Sequence, residues 1–344
     1  MTAVLTILLP RLALGERLSP MDAGSAFDAI MSGTESPVQI AAFLTALRVR
    51  GETVDEITAA AKAMRANSLK VDAPADAIDM CGTGGDAANT FNISTAATFV
   101  VAGAGVPIAK HGNRAQSSKS GAADVLAALG VNLDLSPMAA SECLRQAGIA
   151  FLFAQNHHPA MRHVAPIRSA LGFRTIFNLL GPLTSPASVR RQLIGVYAQA
   201  LVNPIAHVLK ELGLKRALVV HGADGLDEIT TTGPTHAALL HGGTITDLVI
   251  TPEDAGIRRA TLAHLGGGTA TENAIVLRGI LSGKMGPLRD IVCLNAAGGF
   301  LVAERVDNLV DGVAMAATAI DSGAATLALE RLIEVSQTLR GLKP

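Results

Sequence analysis

Tryptophan is absent from the 344 residues, Tyr197 is the single tyrosine, and aromatic side chains together make up 3%. Ring stacking therefore cannot supply much of the recognition of any ligand. Cysteine is also scarce. Cys81, Cys143 and Cys293 are widely spaced, which excludes a disulfide framework or a cysteine zinc site and points to reduced thiols in a cytoplasm. Charge of one sign is missing too: the net charge is −1 and the charged fraction 17%. That removes any global reason to bind nucleic acid or an anionic membrane, and an anion site must be built locally. Long apolar runs are lacking. The stretch Phe99–Ala109 is broken by Gly and Pro and falls short of the ~18 residues of a membrane span. The apolar N-terminal stretch Met1–Leu14 is interrupted by Pro10 and Arg11, and it has neither a basic leader nor an A-x-A cleavage site. A cytoplasmic protein that binds no membrane is expected.

What is present is a large apolar stock, 49% of residues, enough for one large domain and a smaller one. The first ~75 residues read as helices. Ser19-Pro20 and Ser36-Pro37 each look like an N-cap followed by Pro at the first helical position. Gly33 and Gly51 fit the matching stops, and Thr53 with Glu56 forms a capping box. Ile40, Phe43, Leu44 and Leu47 recur at helical spacing. Some of Ile40, Phe43 and Leu47 are expected to leave a face for a partner subunit, unless all of them fill the small domain's own core.

After Val71-Asp72-Ala73-Pro74 short apolar runs alternate with helical stretches. Ala77–Met80, Ile108–Ala109, Ile149–Phe153, Leu193–Tyr197 and Ala217–Val220 read as strands. Ala96–Ala104, Gly121–Leu129, Met138–Ala147 and Leu201–Leu212 read as helices. The alternation predicts an α/β domain with a mostly parallel central sheet. The last ~75 residues return to helix, with Gly298-Gly299 as an interruption.

Four segments carry candidate chemistry. In Asp79-Met80-Cys81-Gly82-Thr83-Gly84-Gly85-Asp86 a strand runs into three glycines, and Asn92-Ile93-Ser94-Thr95 then opens a helix. Glycines admit close backbone approach and positive φ, and backbone N–H groups at a helix start suit a phosphate or pyrophosphate. The spacing fits neither the dinucleotide fingerprint nor the Walker A form. A tight turn with a simple cap is the competing reading. Lys110-His111-Gly112-Asn113-Arg114-Ala115-Gln116-Ser117-Ser118-Lys119 is a local positive field at the end of a strand, where α/β proteins bind ligands; the alternative is a solvated loop. In His221-Gly222-Ala223-Asp224-Gly225-Leu226-Asp227-Glu228 adjacent carboxylates follow a strand, a donor set for Mg²⁺ or merely an acidic turn. Finally, His157, His158 and His163 lack the spacing of a zinc site. They read as hydrogen-bonding histidines, with Arg168 following as a guanidinium suited to a substrate carboxylate or as a surface arginine. The residues by themselves lead to an α/β enzyme with a phosphate loop, a cationic loop and a Mg²⁺ site, with the acceptor unidentified.

Taken together, these segments resemble the anthranilate phosphoribosyltransferase family. The resemblance rests on GTGGD at Gly82–Asp86, NIST at Asn92–Thr95 and KHGNR at Lys110–Arg114. It continues in SSKSGAADVLAALG at Ser117–Gly130, RTIFNLLGPLTSPA at Arg174–Ala187, HGADGLDE at His221–Glu228 and the helical Ser36–Thr53. It covers nearly the whole chain in order. It implies a nucleoside phosphorylase/phosphoribosyltransferase-like fold in a homodimer. A helical domain at residues 1–75, with a returning segment near 171–190, would be hinged to an α/β domain at 76–344. It implies that Gly82, Gly85, Asp86, Thr90, Asn92, Ile93, Ser94, Thr95, Ala122 and the run Lys110, His111, Gly112, Asn113, Arg114, Ala115, Gln116, Ser117, Ser118 contact phosphoribosyl pyrophosphate. Ser94, Asp227 and Glu228 match the Mg²⁺ positions, and Gly82, Asn113 and Arg168 the anthranilate positions. His111 would accept the amine proton or only orient the substrate. Ala87, Gln116 and Ser185 depart from the family's usual Gly, Val and Asn, and none removes a ligand. A pyrimidine-nucleoside phosphorylase shares this fold but needs no acidic pair for Mg²⁺. A nucleic-acid binder on the scaffold needs a basic surface that this chain lacks.

Overall fold

The computed structural model describes residues 3–85, 89–115 and 119–342. Four helices come first: α1 (Val4–Ala13), α2 (Pro20–Ser32), α3 (Pro37–Arg50) and α4 (Val54–Ala66). Their starts follow the local chemistry. Ser19 and Ser36 accept from the N–H groups of Asp22 and Gln39, and Thr53 and Glu56 make a reciprocal capping box. Gly33 closes α2 in the left-handed region.

The remainder alternates. β1 (Ile78–Gly82), α5 (Ile93–Gly103), β2 (Ile108–Gly112), α6 (Ala122–Leu129), α7 (Pro137–Ala147) and β3 (Ile149–Phe153) come in sequence. The short α8 (Ala154–His157), α9 (Ala165–Leu171) and α10 (Phe177–Leu183) then lead to β4 (Arg191–Gly195), α11 (Val202–Glu211) and β5 (Arg216–Gly222). A hairpin, β6 (Thr235–His241) and β7 (Thr244–Ile250), precedes α12 (Ala270–Leu281), α13 (Pro287–Val302), α14 (Leu309–Asp321) and α15 (Ala324–Thr338).

The sheet order is β3-β2-β1-β4-β5-β6-β7, parallel from β3 to β5 and antiparallel across the hairpin. The chain winds outward from β1 through β2 to β3, then resumes on the other side of β1 with β4. The strand order therefore reverses at β1, and the crevice beyond the carboxyl ends of β1 and β4 is where such sheets bind ligands.

Two differences from the sequence-based expectation have physical causes. The hairpin was not anticipated, because the edge strand β7 is mostly exposed and mixes Thr and Asp with its apolar residues; its turn is Gly242-Gly243 with φ of 56° and 81°. Gly298-Gly299 do not interrupt a helix either. α13 runs straight through them. A Cβ at Gly298 would lie 2.7 Å from Ile229 Cδ1, and one at Gly299 2.7 Å from Met80 Sδ, so the pair lets α13 press against the sheet.

The sheet's two faces belong to different cores. α5, α6, α7 and α12–α15 cover one. The other is covered by α11 and α10, which in turn meet α4, so that Ile194, Val196, Val219 and Ala238 share one core with α11, with α1–α4, with Val164 and Ile167 at α9, and with Ile176, Phe177, Leu179, Leu180 and Leu183 of the returning stretch. Ile40, Phe43, Leu44 and Leu47 are all buried inside this core, so none of them is left for a partner. The exposed apolar side chains of the helical region are instead Ile7, Leu14, Met21, Val38 and Val49.

Candidate active site

Gly82 ends β1 directly opposite Gly195, the end of β4. Both lack a side chain because the turn after β5 crosses them. A Cβ on Gly82 would lie 2.2 Å from Asp227 Oδ2, and one on Gly195 1.6 Å from the Asp227 carbonyl oxygen. Gly84 and Gly85 follow with φ of 67° and 76°, a backbone that only glycine holds without strain. Thr83 N–H donates to the Gly195 carbonyl at 2.9 Å, and Thr83 Oγ1 accepts from Tyr197 N–H at 3.1 Å. Asp86 lies outside the described residues.

Asp227 Oδ2 accepts the Gly84 N–H at 2.7 Å, and Glu228 Oε1 accepts the Ser94 N–H at 3.0 Å. The acidic pair thus faces the glycine loop and the first turn of α5. Its own turn is fixed from both sides. Asp224 accepts the hydroxyls of Thr230 and Thr232, each at 2.5 Å, and buried Asn295 of α13 bonds both the N–H and the carbonyl of Ile229 at 2.9 Å. Two carboxylates and the Ser94 hydroxyl are hard oxygen donors, and they fit Mg²⁺, which takes its remaining ligands from substrate phosphates and water. No group of three or more His, Cys, Asp or Glu side chains placed to hold a metal ion occurs among the described residues.

The first turn of α5 carries Ile93 and Thr95 with buried side chains, leaving their backbone as the part that can meet a ligand. Thr90 pairs with Gly266 in an isolated bridge.

The second loop is less cationic toward the crevice than its composition suggests. Lys110 is 3% exposed and donates to the Met80 carbonyl at 2.6 Å, so it supports the end of β1 from within the core. Arg114 pairs with Asp124 at 2.9 Å, and the same carboxylate accepts the N–H groups of Ala115 and Gly121 at 3.0 Å. Asn113 is exposed and accepts the Arg114 N–H. Gly112 packs where a Cβ would lie 2.7 Å from the Phe151 ring, with Ala122 at the start of α6 close by. Gln116, Ser117 and Ser118 lie outside the described residues.

His111 points to the opposite face, toward α10. It is 4% exposed, and Nδ1 lies 2.9 Å from the Gly181 carbonyl, which requires the proton on Nδ1. Burial, reinforced by His158, lowers its pKa to about 3. Burial likewise brings His158 down to about 4. The two rings meet edge to face at 5.2 Å, and Nε2 of each is buried with no hydrogen-bond partner among the described residues. Arg168 of α9 lies over the Phe177 ring at 5.8 Å and forms no ion pair among the described residues; burial lowers its pKa.

Arg174 was not singled out from sequence. It lies in the returning stretch, stacks over Tyr197 at 4.4 Å and donates to the Gly85 carbonyl. It therefore ties that stretch to the glycine loop. Its place in the RTIFNLLGPLTSPA motif was the available signal.

Comparisons with known proteins match the chain and its fold. The α/β-domain model of the glycosyl transferase family matches residues 74–326, and the family's helical bundle domain matches residues 7–68. Anthranilate phosphoribosyltransferase of Rhodopseudomonas palustris (strain BisB18) is 57% identical over 329 residues, covering 96% of this chain and 97% of its own. The crystal structure of that enzyme from Thermus thermophilus superposes with a TM-score of 0.91 at 43% identity, covering 98% of this chain and 100% of that one. The Saccharomyces cerevisiae enzyme in complex with phosphoribosyl pyrophosphate and Mg also gives a TM-score of 0.91, at 31% identity, covering 98% of this chain and 99% of that one.

Proposed function

The chain belongs to the anthranilate phosphoribosyltransferase family, and from that premise we infer how its cleft works. It transfers the 5-phosphoribosyl group from phosphoribosyl pyrophosphate to the amine of anthranilate, giving N-(5-phosphoribosyl)anthranilate and pyrophosphate in tryptophan biosynthesis. The observation that carries this reading is the convergence of Gly84 N–H, the first turn of α5 and the Asp227–Glu228 pair at the sheet's switch point.

Backbone donors at Gly82–Gly85 and Asn92–Thr95, with Thr90, Gly112–Ala115 and Ala122, would cradle the sugar and its phosphates. Ser94, Asp227 and Glu228 would hold Mg²⁺, whose chemistry is to neutralise charge developing on the departing pyrophosphate. Lys110 acts from below by holding the Met80 carbonyl. The reaction is a displacement at ribose C1: the C1–oxygen bond to pyrophosphate breaks and the C1–nitrogen bond forms. The aromatic amine is a nucleophile when neutral, so placing it matters more than a strong base. Arg168 takes the anthranilate carboxylate, with Asn113 and Gly82 at the amine's approach. With its pKa near 3, His111 serves as an orienting acceptor through Nε2 rather than as a proton store.

Residues 1–75 with the returning segment near 171–190 form one body and the rest of 76–344 the other, and their closure would exclude water from the reactive sugar. The assembly is a homodimer through exposed apolar side chains of the helical region such as Ile7, Val38 and Val49; sedimentation as a monomer at micromolar concentration would reject it. No single helix among the described residues is long and apolar enough to cross a membrane, and the reading is of a cytoplasmic enzyme. The reaction is tested by the loss of anthranilate fluorescence on adding phosphoribosyl pyrophosphate and Mg²⁺. Unchanged fluorescence would overturn the reading.

A further inference from the structure

Asn92 occupies the N-cap of α5 and does not cap it. Asparagine at that position ordinarily turns its side-chain oxygen onto an N–H of the first turn. Ser19, Ser36, Thr53, Ser136, Thr269 and Asn308 all do so at their own helices. The carboxamide of Asn92 is committed elsewhere. Its Oδ1 accepts from Nδ2 of Asn273 at 2.8 Å, and its Nδ2 donates to the Ser120 carbonyl at 3.1 Å, at the far end of the cationic loop.

Asn273 stands in the first turn of α12, is 2% exposed, and is itself held: its Oδ1 accepts the Gly268 N–H at 2.8 Å. Gly268 ends the run Gly266-Gly267-Gly268, which lies along the strip that leads into α5. Gly267 N–H donates to the Asn89 carbonyl and Phe91 N–H to the Leu265 carbonyl, both at 2.9 Å. A Cβ on Gly267 would be 2.4 Å from the Thr90 carbonyl oxygen. A segment about 180 residues downstream in the chain thus grips the entry to α5 and fixes one rotamer of Asn92.

We propose that Asn273 is a positioning residue for phosphoribosyl pyrophosphate: by holding the Asn92 carboxamide it keeps that side chain off the first turn of α5, where Glu228 is the acceptor at Ser94, and ties the turn to the cationic loop. Released, Asn92 would rotate onto the first-turn N–H groups of α5 as an ordinary cap and compete for them with Glu228 and with a phosphate. The Ser120 tether would go with it. The proposal rests on the reading that α5's first turn meets a phosphate of the sugar donor.

The test is a double-mutant cycle on the whole enzyme. Asn273→Ala should raise the KM and the calorimetric Kd for phosphoribosyl pyrophosphate about 10-fold, the scale of a helix cap gained by a competitor. The KM for anthranilate should hold within about 2-fold. In an Asn92→Ala background, where no carboxamide is left to misplace, Asn273→Ala should add less than about 2-fold. A merely structural asparagine would instead lower the melting temperature and move both KM values in both backgrounds. That outcome, or an unchanged KM for the sugar donor, overturns the proposal. Should Asn273→Ala not fold, Asn273→Asp replaces it in the same cycle. It keeps the acceptor for Gly268 and has no hydrogen for Asn92. Absence of any binding of phosphoribosyl pyrophosphate to the wild type would overturn both this role and the reading beneath it; binding with an additive cycle would overturn this role alone.

Discussion

The phosphate side of the cleft is built from backbone N–H groups and carboxylates that already satisfy one another, Gly84 with Asp227 and Ser94 with Glu228. The proposed acceptor side, between β2 and α8–α10, holds side chains that do not: His111 and His158 each bury an Nε2 with no hydrogen-bond partner among the described residues. The difference has an energetic meaning. A ligand on the first side exchanges bonds, so its affinity is a small net of large terms and depends on what draws the carboxylates away. A ligand donating on the second side relieves a desolvation penalty already incurred. The first side should therefore be governed by metal and charge, the second by shape and single polar contacts.

Removing the acids should break the comparison most severely. In the double variant Asp227→Ala/Glu228→Ala, turnover should fall on the order of 1,000-fold or more, since both the proposed Mg²⁺ ligands and the charge control at the leaving group would go. Circular dichroism should remain that of the wild type, because Gly84 and Ser94 can bond water instead. Full activity in this variant, or in excess chelator, would remove Mg²⁺ from the mechanism.

On the acceptor side the effect is smaller and more selective. Arg168→Ala should raise the anthranilate KM about 10-fold or more, corresponding to roughly 1.4 kcal/mol of charge-assisted hydrogen bonding. The KM for phosphoribosyl pyrophosphate should change far less. Aniline, lacking the carboxylate, should be a poor substrate of the wild type and indifferent to the change. Equal weakening of both substrates would make Arg168 a structural residue. Arg174→Ala probes the seam, because this arginine leaves the acceptor-side chain to reach Gly85 and Tyr197. An exposed cation over a ring contributes ~0.5–1 kcal/mol, so a rise of about 2- to 5-fold is expected in the KM for the sugar donor. A larger shift for anthranilate than for the sugar donor would place Arg174 on the other side.

The same contrast explains what could be read from sequence. The phosphate side is written in contiguous motifs, because a strand end, three glycines and a helix start must be neighbours in the chain to make a nest. The glycines after β1 and the start of α5 stood out for that reason, whereas the meeting of Asp227 with Gly84 and of Glu228 with Ser94 joins segments more than 130 residues apart and is seen only in the fold. The helical caps at Ser19, Ser36 and Thr53 were legible by the same locality. What depended on distant packing was not. Gly298-Gly299 look like a helix break until Met80 and Ile229 are seen against them, and Gly195 carries no signal until Asp227 crosses it. Lys110 looks like a ligand cation until β2 turns it inward. Ile40, Phe43 and Leu47 showed helical periodicity, which marks a buried face without saying what buries it. The acceptor itself came only from the resemblance, since Arg168 alone is an arginine on a helix.

The smallest effect concerns His111, and it sharpens the contrast between a buried acceptor and a titrating base. Its folded pKa of about 3, with His158 at about 4, lies below the ~6.5 of an unfolded chain. As pH falls from about 6.5 the unfolded state takes up protons that the folded state refuses, so stability is full above that pH and is lost on the way down toward the folded values. The melting temperature of the wild type should therefore decline between pH 6.5 and 4.5. His111→Asn, which keeps a donor for the Gly181 carbonyl, should decline less. His158 retains its share of the penalty, so the relief is partial. Kinetics should be silent over the same groups: with both rings neutral, kcat should show no break between pH 6 and 9 that vanishes in His111→Asn. A kinetic pKa near 6.5 that disappears with this substitution would mean that substrate binding raises the His111 pKa by several units. His111 would then be a proton acceptor, and both sides of the cleft would work through charge.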